Sequence, residues 1–161
     1  MENLPDYILD RQKAIQQYEG AYHLFNVTFP LVKDPKLLIG VVNNISESLE
    51  KSMDAILKYE RALRLVPHYQ EEFQSKFNIF RYKSVRRNKI PGEIINLIIE
   101  LREILALQKR SPMEFQRGNR FVICSKDYQM KVISIKELQN YMDLNKRFIN
   151  IMETVIKKNS K

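Results

Sequence analysis

Glycine is scarce in this chain, with four in 161 residues; tryptophan is absent and cysteine occurs once. So few backbone breakers argue against a many-stranded fold punctuated by glycine turns and favour long helices. A lone Cys124 excludes an internal disulfide and suits a reducing compartment. The two histidines, His23 and His68, stand at no metal-ligand spacing from a cysteine or a carboxylate set, so neither a metal nor another cofactor is expected. The scattered glycines leave no phosphate-cradling loop. Acidic residues are also short: 19 against 27 lysines and arginines, a formal charge of +8. Such an excess attracts polyanions through its long-range field and through counterion release, without base recognition. A solvated basic face, an acidic partner or a membrane surface would use the same charge.

No long hydrophobic run is present. The most apolar stretch, Ile94 to Leu107, carries Asn96, Glu100, Arg102 and Glu103 and is too short and too charged to span a bilayer. The opening Met1-Glu2-Asn3-Leu4-Pro5-Asp6 has neither the basic nor the apolar region of a secretory signal. The expectation is a soluble cytoplasmic protein with no membrane partner. At this length, with 44% hydrophobic residues, a single domain over residues 1–161 can bury about 68–70% of its unfolded surface.

Apolar periodicity predicts mainly α structure, a bundle of about five helices with a small β-hairpin before the last. Ile8, Ile15, Tyr18, Tyr22, Phe25 and Phe29 mark a first helix over residues 5–29, stopped by Pro30. Asp34 and Pro35 supply an N-cap and a first helical position. A second helix, 35–66, follows on the stripe from Leu38 to Val66, antiparallel to the first. Tyr69, Phe73, Phe77 and Phe80 place a third helix over 68–84, followed by a basic connection, 83–92. The fourth, 91–109, is apolar nearly all round and is expected at the centre of the core. Phe121 to Cys124 and Met130 to Ile133 are short β-prone runs that read as strands of a hairpin spanning about 113–134, and Glu114 to Gln116 before Gly118-Asn119 suggests another. Cys124 is then a buried core thiol. Ser134 and Glu137 form a capping box opening a last helix, 135–157, with a basic tail at 157–161.

The richest basic patch contains Lys76, Arg81, Lys83, Arg86, Arg87 and Lys89, without an intervening acid. On an ideal helix Lys76, Lys83 and Arg87 share a stripe roughly 40° wide. Arg110, Arg117 and Arg120 form a second cluster around the hairpin. On one face, the two clusters would suit a phosphate backbone, with arginine forks bidentate and lysines as point charges. Tyr82, off the aromatic core stripe, is the candidate for base stacking. Glu47, Glu50, Asp54 and Glu60 along the second helix read as charged surface.

The paired helices from Tyr18 to Tyr59, with Ala21-Tyr22-His23-Leu24-Phe25 and Ser46-Glu47-Ser48-Leu49-Glu50-Lys51, resemble those of HEPN domains. Arg61 and His68, separated by six residues, resemble the arginine–histidine motif of the family's metal-independent ribonucleases. Here Ala62 replaces the polar residue that usually follows the arginine, and Pro67 interrupts the spacer. The resemblance implies either an RNA- or partner-binding module, often dimeric, or an endoribonuclease in which His68 moves the 2′-hydroxyl proton and Arg61 stabilises the strained phosphate.

The leading expectation is a non-enzymatic module binding RNA or an RNA-containing assembly such as the ribosome, through Lys76, Lys83, Arg86, Arg87, Lys89, Arg110, Arg117 and Arg120. The alternatives are the HEPN-like ribonuclease, as a homodimer using Arg61 and His68, and a subunit whose apolar stripes complete a larger helical assembly.

Overall fold

Asp34 sets the first corner of the fold, its side chain accepting the Lys36 N–H at 3.0 Å where the second helix begins. The structure, a computed structural model, describes residues 5–110, 113–124 and 129–158. Five continuous helices and a three-stranded antiparallel sheet make up these residues. None of the described helices is long and apolar enough to cross a membrane.

Helix α1, residues 6–32, does not stop at Pro30. It runs as Asp6–His23, then a π-helical turn Leu24–Thr28, then Phe29–Val32. In the π turn the Phe29 N–H reaches back to the Leu24 carbonyl. That wider turn makes room for a proline ring that would otherwise strike the carbonyl one turn earlier.

Helix α2 is Lys36–Ala62, four residues shorter at its end than the apolar stripe predicts. It closes in a Schellman motif, with Arg64 N–H to Arg61 O at 2.9 Å and Leu65 N–H to Glu60 O at 2.8 Å. Val66 and Tyr69 remain buried, but in the connection, 63–72, and not on a helix. Helix α3 therefore starts later, at residues 73–88: Phe73–Ile79, a second π turn Phe80–Ser84, then Val85–Asn88. The expected basic connection shrinks to Lys89, Ile90 and Pro91 before α4, Gly92–Arg110.

Strands β1 Met113–Arg117, β2 Arg120–Cys124 and β3 Met130–Ser134 pair in sequence order. Arg117 faces Arg120 across Gly118-Asn119, with Gly118 alone of the two at positive φ (62°), as a type II′ turn requires. Phe121, Ile123 and Ile133 join the core, and β2 packs on α4. Ser134 Oγ accepts the Glu137 N–H at 3.0 Å, the expected capping box, and opens α5, Ile135–Lys158. Lys157 thus belongs to the helix, while 159–161 of the expected basic tail lie outside the described residues.

The central helix is α2, not the all-apolar α4. It packs against α1, α3, α4 and α5 and buries Ser46, Ser48, Ser52, Asp54 and Glu60 along with its apolar stripe. Asp54 and Glu60, read from the sequence as surface, are 6% and 1% exposed. Small residues let α1 lie close and antiparallel on α2: a Cβ at Gly20 would meet Asn44 at 3.2 Å, and one at Gly40 would meet Leu24 at 3.3 Å. About one turn beyond the Gly20–Asn44 approach, Ser48 Oγ donates to the Ala14 carbonyl at 2.7 Å and accepts from Asn145 Nδ2 of α5 at 2.9 Å, all three residues being buried.

Charge completes the clamp. Asp10 of α1 pairs with Lys58 at 2.7 Å, and Asp54 with Lys76 of α3 at 3.0 Å, while Lys51 stands 3.9 and 3.8 Å from the two carboxylates. Burial pushes the Asp54 carboxyl above the usual range despite Lys76. Burial is the largest single influence on the Lys58 ammonium and lowers it, but the hydrogen bond and charge of Asp10, with the charges of Asp54 and Glu71, together hold it above its ordinary value. Arg11 grips Glu153 of α5 at 2.6 and 2.7 Å and holds that carboxyl below its ordinary value.

Two outcomes follow for stability. Ser48→Ala leaves a buried Asn145 donor unpaired and should lower stability by about 1–3 kcal/mol. This is read as a lower denaturant midpoint at unchanged slope; an unchanged midpoint would remove the serine from this role. Lys33 ends α1 at φ 57°, a left-handed position that disfavours a Cβ. Lys33→Gly should raise stability by roughly 0.5–1 kcal/mol, a rise of about 1–4 °C in Tm.

Candidate nucleic-acid interface

The second π turn decides which cations of α3 reach water. It begins four residues after Lys76, contains Lys83, and breaks the regular step on which a single stripe was projected. Lys76 is 9% exposed and bound to Asp54, so it is removed from the surface. Arg81, Lys83, Arg86 and Lys89 are exposed, and so is Tyr82, at 63%. Arg81 has its guanidinium 5.7 Å from the Phe77 ring centre. Phe77, Phe80 and Tyr69 are buried, as the aromatic spacing predicts.

Arg87 has a structural bond at each end of its fork. It donates to Glu60 Oε2 at 2.8 Å and to the Leu65 carbonyl at 2.8 Å. Asn88 donates to the same Glu60 oxygen at 3.2 Å and to the Ser84 carbonyl at 2.9 Å. Buried Glu60 therefore neutralises Arg87 and ties the end of α2 to the end of α3.

Beside this lock, α3 and α5 leave a groove of about 450 Å³. Its lining is Arg87, Asn88 and Lys89 from one side, and Arg147, Asn150, Ile151, Thr154 and Val155 from α5. Arg147, Asn150 and Thr154 recur at three and four residues, so they share one face of α5. Lys89 and Arg147 have no ion-pair partner among the described residues. The carbonyl end of α3 contributes partial negative charge here, which Lys89, at the left-handed cap position, offsets. Arg147 escapes sequence reading because only the packing of α5 beside α3 brings it to Lys89, 58 positions away.

The second basic cluster is separate. Arg117 and Arg120 are exposed on either side of the hairpin turn, and Arg120 is paired with Ser134, the cap of α5. Arg147 lies thirteen residues beyond Ser134, roughly 20 Å along the helix. Arg110, exposed at the end of α4, lines a different cavity with Glu100, Glu103 and Lys131.

None of the five main cavities has both Arg61 and His68 in its lining. Arg61, in the last turn of α2, places its guanidinium 4.7 Å from the Tyr69 ring centre. Burial pushes the Tyr69 hydroxyl up to about 12, against the pull of Arg61. The cavity at Arg61 is lined by Pro5, Asp6, Tyr7, Lys58 and Ala62, and His68 is exposed in the connection outside it. Among the described residues no group of three His, Cys, Asp or Glu is placed to hold a metal ion.

Glu60→Gln keeps the shape of the lock but removes its charge, and should destabilise the fold by about 2 kcal/mol. In a double-mutant cycle with Arg87→Met the two losses should be strongly non-additive; additive losses would mean the pair does not act as a unit. In comparisons with protein-family models, with curated proteins and with solved structures, nothing matches this chain.

Proposed function

We propose that the chain is a non-enzymatic basic helical module that binds RNA, alone or within an assembly such as the ribosome. The observation that carries this reading is the uncompensated charge at the end of α3: Lys83, Arg86 and Lys89 are exposed, no acidic residue occurs between Phe73 and Gly92, and Arg147 adds its charge across the groove. Phosphates would be met by these four side chains, with Arg87 positioning rather than touching them. Exposed Tyr82 offers a stacking surface for an unpaired base. Arg117, Arg120 and Arg110 then serve as outlying anchor points for a longer strand. Catalysis through Arg61 and His68 draws no support from their placement.

Binding of this kind falls steeply with salt and discriminates little between sequences. The test is a titration of labelled structured RNA, in EDTA, across a range of salt concentrations. Lys83→Glu with Arg86→Glu should weaken binding at least about tenfold at low salt. The log–log salt slope should flatten by about 0.7 for each single-stranded phosphate that is no longer neutralised. The melting temperature should not change, since both side chains are exposed. Unaltered affinity would reject this surface. Absence of binding even at low salt would reject the reading and favour a protein partner.

A further inference from the structure

We infer that the groove between α3 and α5 is a phosphomonoester site, taking the terminal phosphate of a nucleotide rather than an internal phosphodiester. The inference deepens the RNA-binding reading and rests on the same surface.

Charge singles this groove out. The four other main cavities each carry at least one carboxylate in their lining: Glu100 and Glu103; Glu47, Glu50 and Asp54; Asp6; Glu72 and Glu103. The α3–α5 groove is lined by three cationic residues and no acidic one. Arg87 is already balanced by Glu60, which is 1% exposed behind it, so Lys89 and Arg147 remain as the two charges of the groove without an ion-pair partner among the described residues, and the carbonyl end of α3 offsets only part of the Lys89 charge. An internal phosphodiester brings one negative charge. A phosphomonoester brings about −1.5 to −2 at pH 7 and three acceptor oxygens.

The donors match those oxygens. Arg147 presents a planar fork suited to two phosphate oxygens, and Lys89 a mobile point charge. Asn150 and Thr154, one and two turns along α5 from Arg147, add an amide and a hydroxyl on the same face. The other half of a nucleotide also finds complementary surface. Ile151 and Val155 give the groove an apolar wall for a sugar or base. Asn88, its amide held by Glu60 and the Ser84 carbonyl, keeps its carbonyl oxygen for a hydroxyl or a base N–H. A volume of about 450 Å³ lies within the range of small-ligand sites.

The phosphate has two sources, the end of an RNA strand or a free mononucleotide, and both belong in the test. Three labelled RNAs of one sequence are titrated into the full chain: 5′-phosphorylated, 3′-phosphorylated and unphosphorylated. AMP and adenosine are then compared as competitors. At pH 7.5 one phosphorylated end should bind at least about tenfold tighter than the bare strand, from an added charge-assisted fork. That preference should shrink as the pH falls through about 6, where the monoester loses its second charge. It should vanish in Arg147→Gln, whose exposed position leaves the melting temperature unchanged, and AMP should displace where adenosine does not.

RNA bound without end preference, and not displaced by AMP, overturns the monoester site while leaving the RNA-binding module in place. AMP bound in an Arg147-dependent way without any RNA binding keeps the site, assigns it to free nucleotides and overturns the RNA reading. Binding of neither overturns both.

Discussion

A single buried hydroxyl ties three helices of this fold together. Ser48 donates to a backbone carbonyl of α1 and accepts from an α5 side chain. Small residues along that seam, Ala14, Gly20, Gly40 and Ser48, bring the two backbones near enough for the bond to form. Proximity then brings Asp10 to Lys58 and Tyr7 to the Tyr59 ring, 5.2 Å between centres. With α1 and α2 paired antiparallel, α5 and α3 pack on other faces of α2, and the groove lies between those two helices.

Cations in this chain divide into two populations. Lys58, Lys76, Arg11 and Arg87 are held by Asp10, Asp54, Glu153 and Glu60, each of those carboxylates being at most 19% exposed at its side chain. They join helices, and their charge is cancelled where it stands. Lys83, Arg86, Lys89 and Arg147 are exposed and free of ion pairs among the described residues. The four pairs cancel internally, so the formal charge of +8 is carried by the remaining side chains, with four of the 19 acidic residues already committed between helices.

The periodic elements were legible because local chemistry sets them. The Asp34 cap, the Ser134–Glu137 box, the β-prone strands and the buried phenylalanines follow from short-range rules, and the structure keeps them. Reading failed where backbone geometry or packing overruled those rules. Two π turns carry α1 past Pro30 and turn Lys76 away from Lys83, and no residue pattern announces either. The end of α2 depends on Arg64 adopting a left-handed conformation that a basic residue seldom takes. Asp54 and Glu60 look like surface until their partners are placed, and Arg147 stands near Lys89 only through tertiary packing. The candidate site was therefore half visible, as the α3 cations, while its α5 wall was not.

Lys33, Arg64 and Lys89 each occupy the left-handed residue just past a helix, and each is exposed. A protease that cuts after basic residues consequently meets its preferred side chain at three corners of the bundle, where the backbone is already turned outward. The tight bends that divide the fold into helices also mark where a cell's proteolytic machinery would divide the chain, releasing α1, α2 and α3 as separate pieces.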